Sequence, residues 1–157
     1  MKKLFGIALT TVLLDQIIKN ALIFFMSFGK SITVIKGFFN ITLIGNTGAA
    51  FSILSSNTIL LIVISVVVLN VIYFGFIKGK ELTDFEQLSY GLLIGGIMGN
   101  LIDRVVRMQV IDYLDFTFFG YNFPVFNLAD IAIVVSMILI VFQIIKGDKH
   151  EVSSKTK

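Results

Sequence analysis

From residue 58 to residue 77 the chain reads TILLIVISVVVLNVIYFGFI, with no charged side chain anywhere in it. About 20 such residues in a helix cross a hydrocarbon core of roughly 30 Å. Inside a bilayer the backbone must satisfy its own polar groups, which leaves helices or closed barrels. Comparable apolar runs cover about 4–25, 85–106 and 128–145. The expected class is therefore mainly α and integral to a membrane, a bundle of four transmembrane helices in a single domain over residues 1–146. A polar tail, 147–157, follows it. Lys2-Lys3 before LFGIALTTVLL resembles the start of a cleaved leader. The run continues past Asp15-Gln16, however, and no small-residue cleavage site follows, so 4–25 is read as a membrane helix.

Composition narrows the chemistry. Charged residues are 15% of the chain, against about 25% in soluble domains. There is no Cys, which removes disulfides, thiolate nucleophiles and Cys-based metal sites. The one His, His150, lies in the polar tail, so His catalysis and His-cluster metal binding are excluded as well. No metal and no cofactor is expected. The net charge of +3 is small, and the basic residues gather at segment ends. That suits membrane orientation and gives no sign of nucleic-acid binding.

Four spans put both termini on one side, with Lys2, Lys3, Lys78, Lys80, Lys146 and Lys149. The positive-inside rule makes that side the cytoplasm. Residues 27–57 and 107–127 then form two outer loops. In the first, SITVIKGFFNITLI partly alternates and is rich in β-branched and aromatic residues, so short strands are expected there. The third span carries Gly91, Gly95 and Gly99 at intervals of four, with Gly96 alongside. This stripe reads as a packing face that brings Asn100, Asp103 and Arg104 close to a neighbouring helix.

Polar residues in or beside the spans are the candidates for function. Asp15 and Lys19 are four apart on the first helix and face the same way. They read equally as an internal ion pair and as part of a site. Asn100 with Arg104, and Asp103 with Arg107, repeat that spacing at the end of the third span. Asn46 precedes Gly48 in NTGAAF, where an Asx-turn is the plain reading and contact with a ligand backbone the functional one. Asn127 is placed to cap the fourth helix. Asp130, three residues on, sits inside the apolar pattern and is less well explained by capping.

Carboxylates dominate the outer side: Asp103, Asp112, Asp115 and Asp130. Two carboxyl groups held close together do not both ionise readily; one keeps a proton and donates it, and the other is a base for water. Such a pair hydrolyses an amide without Ser, Cys, His or metal. Spacing alone does not choose which two aspartates form it. An ion-coupled transporter and a helix-assembly protein are the competing classes, since buried charge and small-residue stripes serve those too.

Five motifs in order, DQIIK (15–19), NTGAAF (46–51), GNLIDRV (99–105), VIDYLD (110–115) and FNLAD (126–130), resemble the lipoprotein signal peptidases of bacteria, signal peptidase II. The resemblance covers nearly the whole chain outside the tail. It implies an aspartic intramembrane endopeptidase that cuts before the diacylglyceryl-cysteine of a membrane-bound prolipoprotein. It implies Asp112 and Asp130 as the catalytic pair, supported by Asp15, Lys19, Asn46, Gly48, Asn100, Arg104 and Asn127. It also implies a bacterial cytoplasmic-membrane location, an active site near the outer face, a small sheet on that face, and an outer loop over the site. Its partners are the lipidated substrate and membrane lipid.

Overall fold

The structure is a computed structural model that describes residues 1–48 and 57–154, with side chains described up to residue 146. Helix α1 is Lys2–Phe25. Strands β1, Ser31–Ile35, and β2, Phe39–Asn46, follow. Helix α2, Thr58–Ile72, ends in a wider π-helical turn, Tyr73–Ile77. Helix α3 is Asp84–Arg107. Then come β3, Val110–Phe118, the two-residue β4, Tyr121–Asn122, and helix α4, Leu128–Ser154. The last helix runs past the expected end at residue 145 into the polar segment, which contains no Pro to stop it.

Three helical stretches are long and apolar enough to cross a membrane: Lys2–Phe25, Thr58–Ile77 and Leu128–Lys146. Helix α3 is as long as α1 but carries charges at both ends. It lies between α1 and α4, and its glycines are the reason it fits. A Cβ on Gly95 would stand 2.6 Å from the Thr11 Cβ and 2.8 Å from the Ala8 carbonyl oxygen of α1. On Gly96 it would stand 2.5 Å from the Ala129 carbonyl oxygen of α4. The expected stripe is therefore split: Gly91, Gly95 and Gly99 admit α1, while Gly96 admits α4.

The distribution of polarity is inverted relative to a soluble protein. Phe24, Phe25 and Ile59 are 70% exposed or more, whereas Asp15, Lys19, Asp103 and Asn127 are fully buried. Apolar side chains point outward from the helices, as they do toward lipid, and charges point in.

Both ends of α3 are specified locally. Thr83 and Glu86 form a capping box, with Glu86 N–H donating to Thr83 Oγ1 at 3.2 Å and Thr83 N–H to Glu86 Oε2 at 2.7 Å. At the other end Met108 takes a left-handed conformation, φ +58°, and turns the chain straight into β3. Lys3 Nζ pairs with Asp84 Oδ2 at 2.9 Å, so α1 and α3 start at the same end of the bundle.

The four strands form one antiparallel sheet in the order β1-β2-β3-β4. The segment 107–127 was expected as a loop and instead supplies β3. Strand β3 pairs along β2 from Phe39 opposite Phe116 to Asn46 opposite Val110. Its even-numbered positions, Asp112, Leu114 and Phe116, share one face with Phe39 and Ile41. Phe39, Phe116 and Phe126 stack across that face with ring centroids 4.5 and 5.7 Å apart. Asp115 lies on the opposite face beside Asn40.

Candidate active site

The site forms where β3, the end of α3 and the start of α4 meet. Asn127 and Asp130 cap α4 reciprocally. Asp130 N–H donates to Asn127 Oδ1 at 3.0 Å, and Asn127 N–H donates to Asp130 Oδ2 at 3.1 Å. This is the geometry of a capping box built from Asn and Asp. Asp130 therefore belongs to the cap, which the sequence credited mainly to Asn127. Its other oxygen, Oδ1, accepts Asn100 Nδ2 at 2.7 Å.

Asp112 comes from the strand. It is 2% exposed. Its Oδ1 accepts Asn127 Nδ2 at 2.6 Å, and its Oδ2 accepts Asn46 Nδ2 at 3.0 Å. Asn127 thus touches both aspartates, one through its amide nitrogen and the other through its oxygen. Among the described residues, all the hydrogen-bond donors on the two carboxylates are neutral amides. Burial and the nearby Asp130 carboxylate push Asp112 up to about 6 from an ordinary 3.8. Tyr113 is pushed up to about 12, chiefly by burial, and its hydroxyl accepts the Leu128 N–H at 3.3 Å.

Asn46 owes its aim to its turn. Gly48 N–H donates to Asn46 Oδ1 at 2.9 Å, which leaves the amide nitrogen directed at Asp112. The Gly48 carbonyl accepts Arg104 Nη2 at 3.1 Å. The plain reading of this motif, an Asx-turn, is realised, and the turn also aims the Asn46 amide at Asp112. The rest of the motif, 49–51, lies outside the described residues. Among the described residues, Arg104 Nε is buried without a partner.

A second, separate set of charges lies deeper between α1 and α3. Lys19 Nζ stands 2.8 Å from Asp15 Oδ2 and 2.8 Å from Asp103 Oδ2, with all three side chains fully buried. Arg107 Nη1 reaches Asp103 Oδ1 at 2.7 Å. Asp15 Oδ1 also accepts the Ala129 N–H at 3.1 Å, which fixes the first turn of α4. A Cβ on Gly99 would stand 2.6 Å from Asp15 Oδ2, so glycine there is what admits the ion pair. Asp15 and Lys19 thus form the internal pair, and Lys19 extends it toward the site by donating to Asn100 Oδ1 at 3.0 Å.

Of the four outer carboxylates, the structure brings Asp112 and Asp130 together through Asn127. Asp103 is taken up by two cations. Asp115 accepts the Thr42 hydroxyl at 2.6 Å on the other face of the sheet. The linking role of Asp103 was not legible: its only local signal was the four-residue spacing to Arg107. Among the described residues no cluster of His, Cys, Asp and Glu is placed to hold a metal ion.

Comparison with known proteins bears on what this site does. A family model described as signal peptidase (SPase) II matches residues 7–146. A lipoprotein signal peptidase of Staphylococcus aureus strain MRSA252 is 36% identical over 151 residues, 96% of this chain and 93% of the relative. That of strain JH9 is similar to the same extent. A bacterial membrane enzyme structure obtained by the in meso method at 2.3 Å resolution superposes with a TM-score of 0.88 at 36% identity, covering 96% of this chain and 92% of that one. A second, at 1.9 Å resolution, gives 0.83 at 37% identity, covering 93% and 94%.

Proposed function

The chain belongs to the signal peptidase II family, and on that premise we propose that it cuts membrane-bound prolipoproteins with Asp112 and Asp130 as an aspartic pair. The bond cleaved is the one before a diacylglyceryl-cysteine. The observation that carries the reading is Asn127, whose one side chain binds Asp112 at 2.6 Å and the Asp130 backbone at 3.0 Å. The two carboxylates are thereby fixed as a unit with no cation bonded to either. That is the condition for sharing a proton.

Asp112, the more buried of the two and raised to about 6, holds the proton; Asp130 is the base. A water between them attacks the scissile carbonyl carbon as Asp130 takes its proton. Asp112 gives its proton to the carbonyl oxygen, producing a tetrahedral diol. The diol collapses: Asp130 passes its proton to the leaving nitrogen, a diol hydroxyl returns a proton to Asp112, and the C–N bond breaks. The pair ends as it began and titrates as a unit. Asn46 and Asn127 hold Asp112, Asn100 holds Asp130, and Arg104 ties the 46–48 turn to α3.

In this reading α3 is the fourth span and both termini are cytoplasmic. The lysines support it, since Lys2, Lys3, Lys78, Lys80 and Lys146 fall at the helix ends away from the aspartates. The site then lies near the outer face of a bacterial cytoplasmic membrane, and the substrate's acyl chains reach it from the bilayer.

The test is cleavage of a synthetic prolipoprotein peptide in detergent, with and without diacylglycerol on its cysteine. Cutting of the lipidated peptide alone, lost in both Asp112→Asn and Asp130→Asn, is expected. Turnover that survives either substitution in folded protein would sink the pair.

A further inference from the structure

Asp103 is fully buried on the last turns of α3, and the proposed chemistry makes no use of it. Its two oxygens have different partners. Oδ1 accepts Arg107 Nη1 at 2.7 Å and Gln16 Nε2 at 3.1 Å. Oδ2 meets Lys19 Nζ at 2.8 Å and accepts the Ile111 N–H at 3.2 Å. Each Oδ2 partner leads to one carboxylate of the pair. Lys19 donates to Asn100 Oδ1 at 3.0 Å, and Asn100 donates to Asp130 at 2.7 Å. Ile111 immediately precedes Asp112 on β3.

We propose that Asp103 is a positioning residue for the whole pair, setting Asp130 through Lys19 and Asn100 and setting Asp112 through the Ile111 backbone. The proposal rests on Asp112 and Asp130 being the catalytic carboxylates.

The physical argument has two parts. An asparagine amide can present either its oxygen or its nitrogen to a neighbour. Two donors on the Asn100 oxygen, the Lys19 ammonium at 3.0 Å and the Asn127 amide at 3.2 Å, turn its NH₂ group to Asp130, and the cation is the stronger of the two. Lys19 has Asp15 four residues away on its own helix; Asp103 is the anion that ties it to α3. The second part concerns the chain reversal. After the left-handed Met108 the strand must return beside α3, and the Ile111 bond clamps it one residue short of Asp112. One carboxylate thus sets the approach of a helix residue and a strand residue toward each other.

The cluster also carries charge. Asp15 and Asp103 balance Lys19 and Arg107. Around Asp112 the other charged groups are Asp130 from α4, Arg104 from α3 and Lys19 from α1, while β2 presents the neutral Asn46. Asp103→Asn leaves the cluster with one excess positive charge, which favours the ionised form of Asp112. Arg107→Gln leaves one excess negative charge and favours the protonated form. A substitution that only loosened packing, with the charge of the cluster intact, would move neither, and a charge acting only through space would move the limb without lowering kcat.

The experiment is kcat, KM and the pH dependence of kcat/KM on a lipidated prolipoprotein peptide, for full-length wild type, Asp103→Asn and Arg107→Gln in detergent. For Asp103→Asn, kcat is expected to fall about a hundredfold, the scale of a 1 Å misplacement, with KM little changed. Its alkaline limb should move to lower pH, and that of Arg107→Gln to higher pH. Limbs that coincide with wild type in both variants would overturn the proposal, as would a wild-type kcat in Asp103→Asn. If Asp103→Asn does not fold, the Arg107→Gln limb decides alone: a move to higher pH supports the proposal and an unmoved limb overturns it. Cleavage persisting in Asp112→Asn or Asp130→Asn would remove the premise, a failure distinct from an unmoved limb.

Discussion

Two groups of aspartates, linked through Lys19 and Asn100, meet opposite electrostatic fates. Asp15 and Asp103 are fully buried, and each has a cation at 2.7–2.8 Å. Asp112 is equally deep but has only the Asn46 and Asn127 amides on it, and Asp130 beside it has Asn100 and a backbone N–H. Burial is therefore not what separates a structural carboxylate from a reactive one. Compensation is. A buried carboxylate bonded to ammonium or guanidinium has its charge compensated where it stands. One held by neutral donors next to a second carboxylate keeps a proton within reach of neutral pH, and that proton can be transferred. The protein runs both arrangements side by side and links them through Lys19 and Asn100.

The sharpest way to break this contrast is to neutralise one member of each group. Asp112→Asn and Asp130→Asn should lower cleavage of a lipidated prolipoprotein peptide by about a thousandfold or more, as the loss of an acid or base in the transition state does. Asp103→Asn, in the other group, should cost less, about a hundredfold. Next in size is the removal of a compensating cation. Lys19→Met leaves Asp15 without one and should destabilise the bundle by about 3–5 kcal/mol, the scale for breaking a buried pair. Thermal melts in detergent would show it, and a loss under about 1 kcal/mol would mean the cluster is not held by charge.

Asp112→Asn should act on stability in the other direction. Its carboxyl sits near 6 in the fold against 3.8 ordinarily, so the native state binds the proton more tightly than the unfolded chain. The stability due to that proton is present below pH about 4 and is lost as pH rises through about 6. The variant should therefore melt higher than wild type at pH 8, by up to about 3 kcal/mol, and should match it near pH 4. The same sign governs turnover. Wild-type kcat/KM should fall about tenfold per pH unit above about 6, as the acid of the free enzyme ionises. A flat profile from pH 5 to 8 would place the proton elsewhere. The smallest effect is expected at Asp115→Asn: about 1 kcal/mol for its bond to Thr42, with cleavage unchanged.

Much of the helical frame was legible because each element is specified by its own residues. The charge-free run 58–77 demanded a membrane. Residues 4–25 gave α1 because nothing in Asp15-Gln16 or Lys19 breaks a helix. The spacing of Asp15 to Lys19, and of Asp103 to Arg107, put each pair on one helix face, and both pairs are made. The glycines at intervals of four announced a close contact. Strand β3 was missed as a strand, although VIDYLDFTF partly alternates, because its partner β2 lies 64 or more residues away, as in the pair Asn46 and Val110. A strand without its partner looks like a polar loop. The motifs themselves pointed to Asp112 and Asp130 by resemblance; the spacing of residues did not.

By itself, then, the sequence determined the membrane helices, the faces that carry charge, the absence of any thiol, and the confinement of the single imidazole, His150, to the polar tail. Those are properties of neighbours within a turn or two, where the 3.6-residue period sets who meets whom. Only the tertiary structure decided which aspartates would be paired with cations and which would be held by neutral amides. Lys19 meets Asp103 across 84 residues of chain and Asn127 meets Asp112 across a strand-to-helix turn. No spacing rule reaches that far, because the distance between two elements is set by what packs between them. Here that is Gly99, whose missing side chain lets Asp15 and its lysine stand against α3.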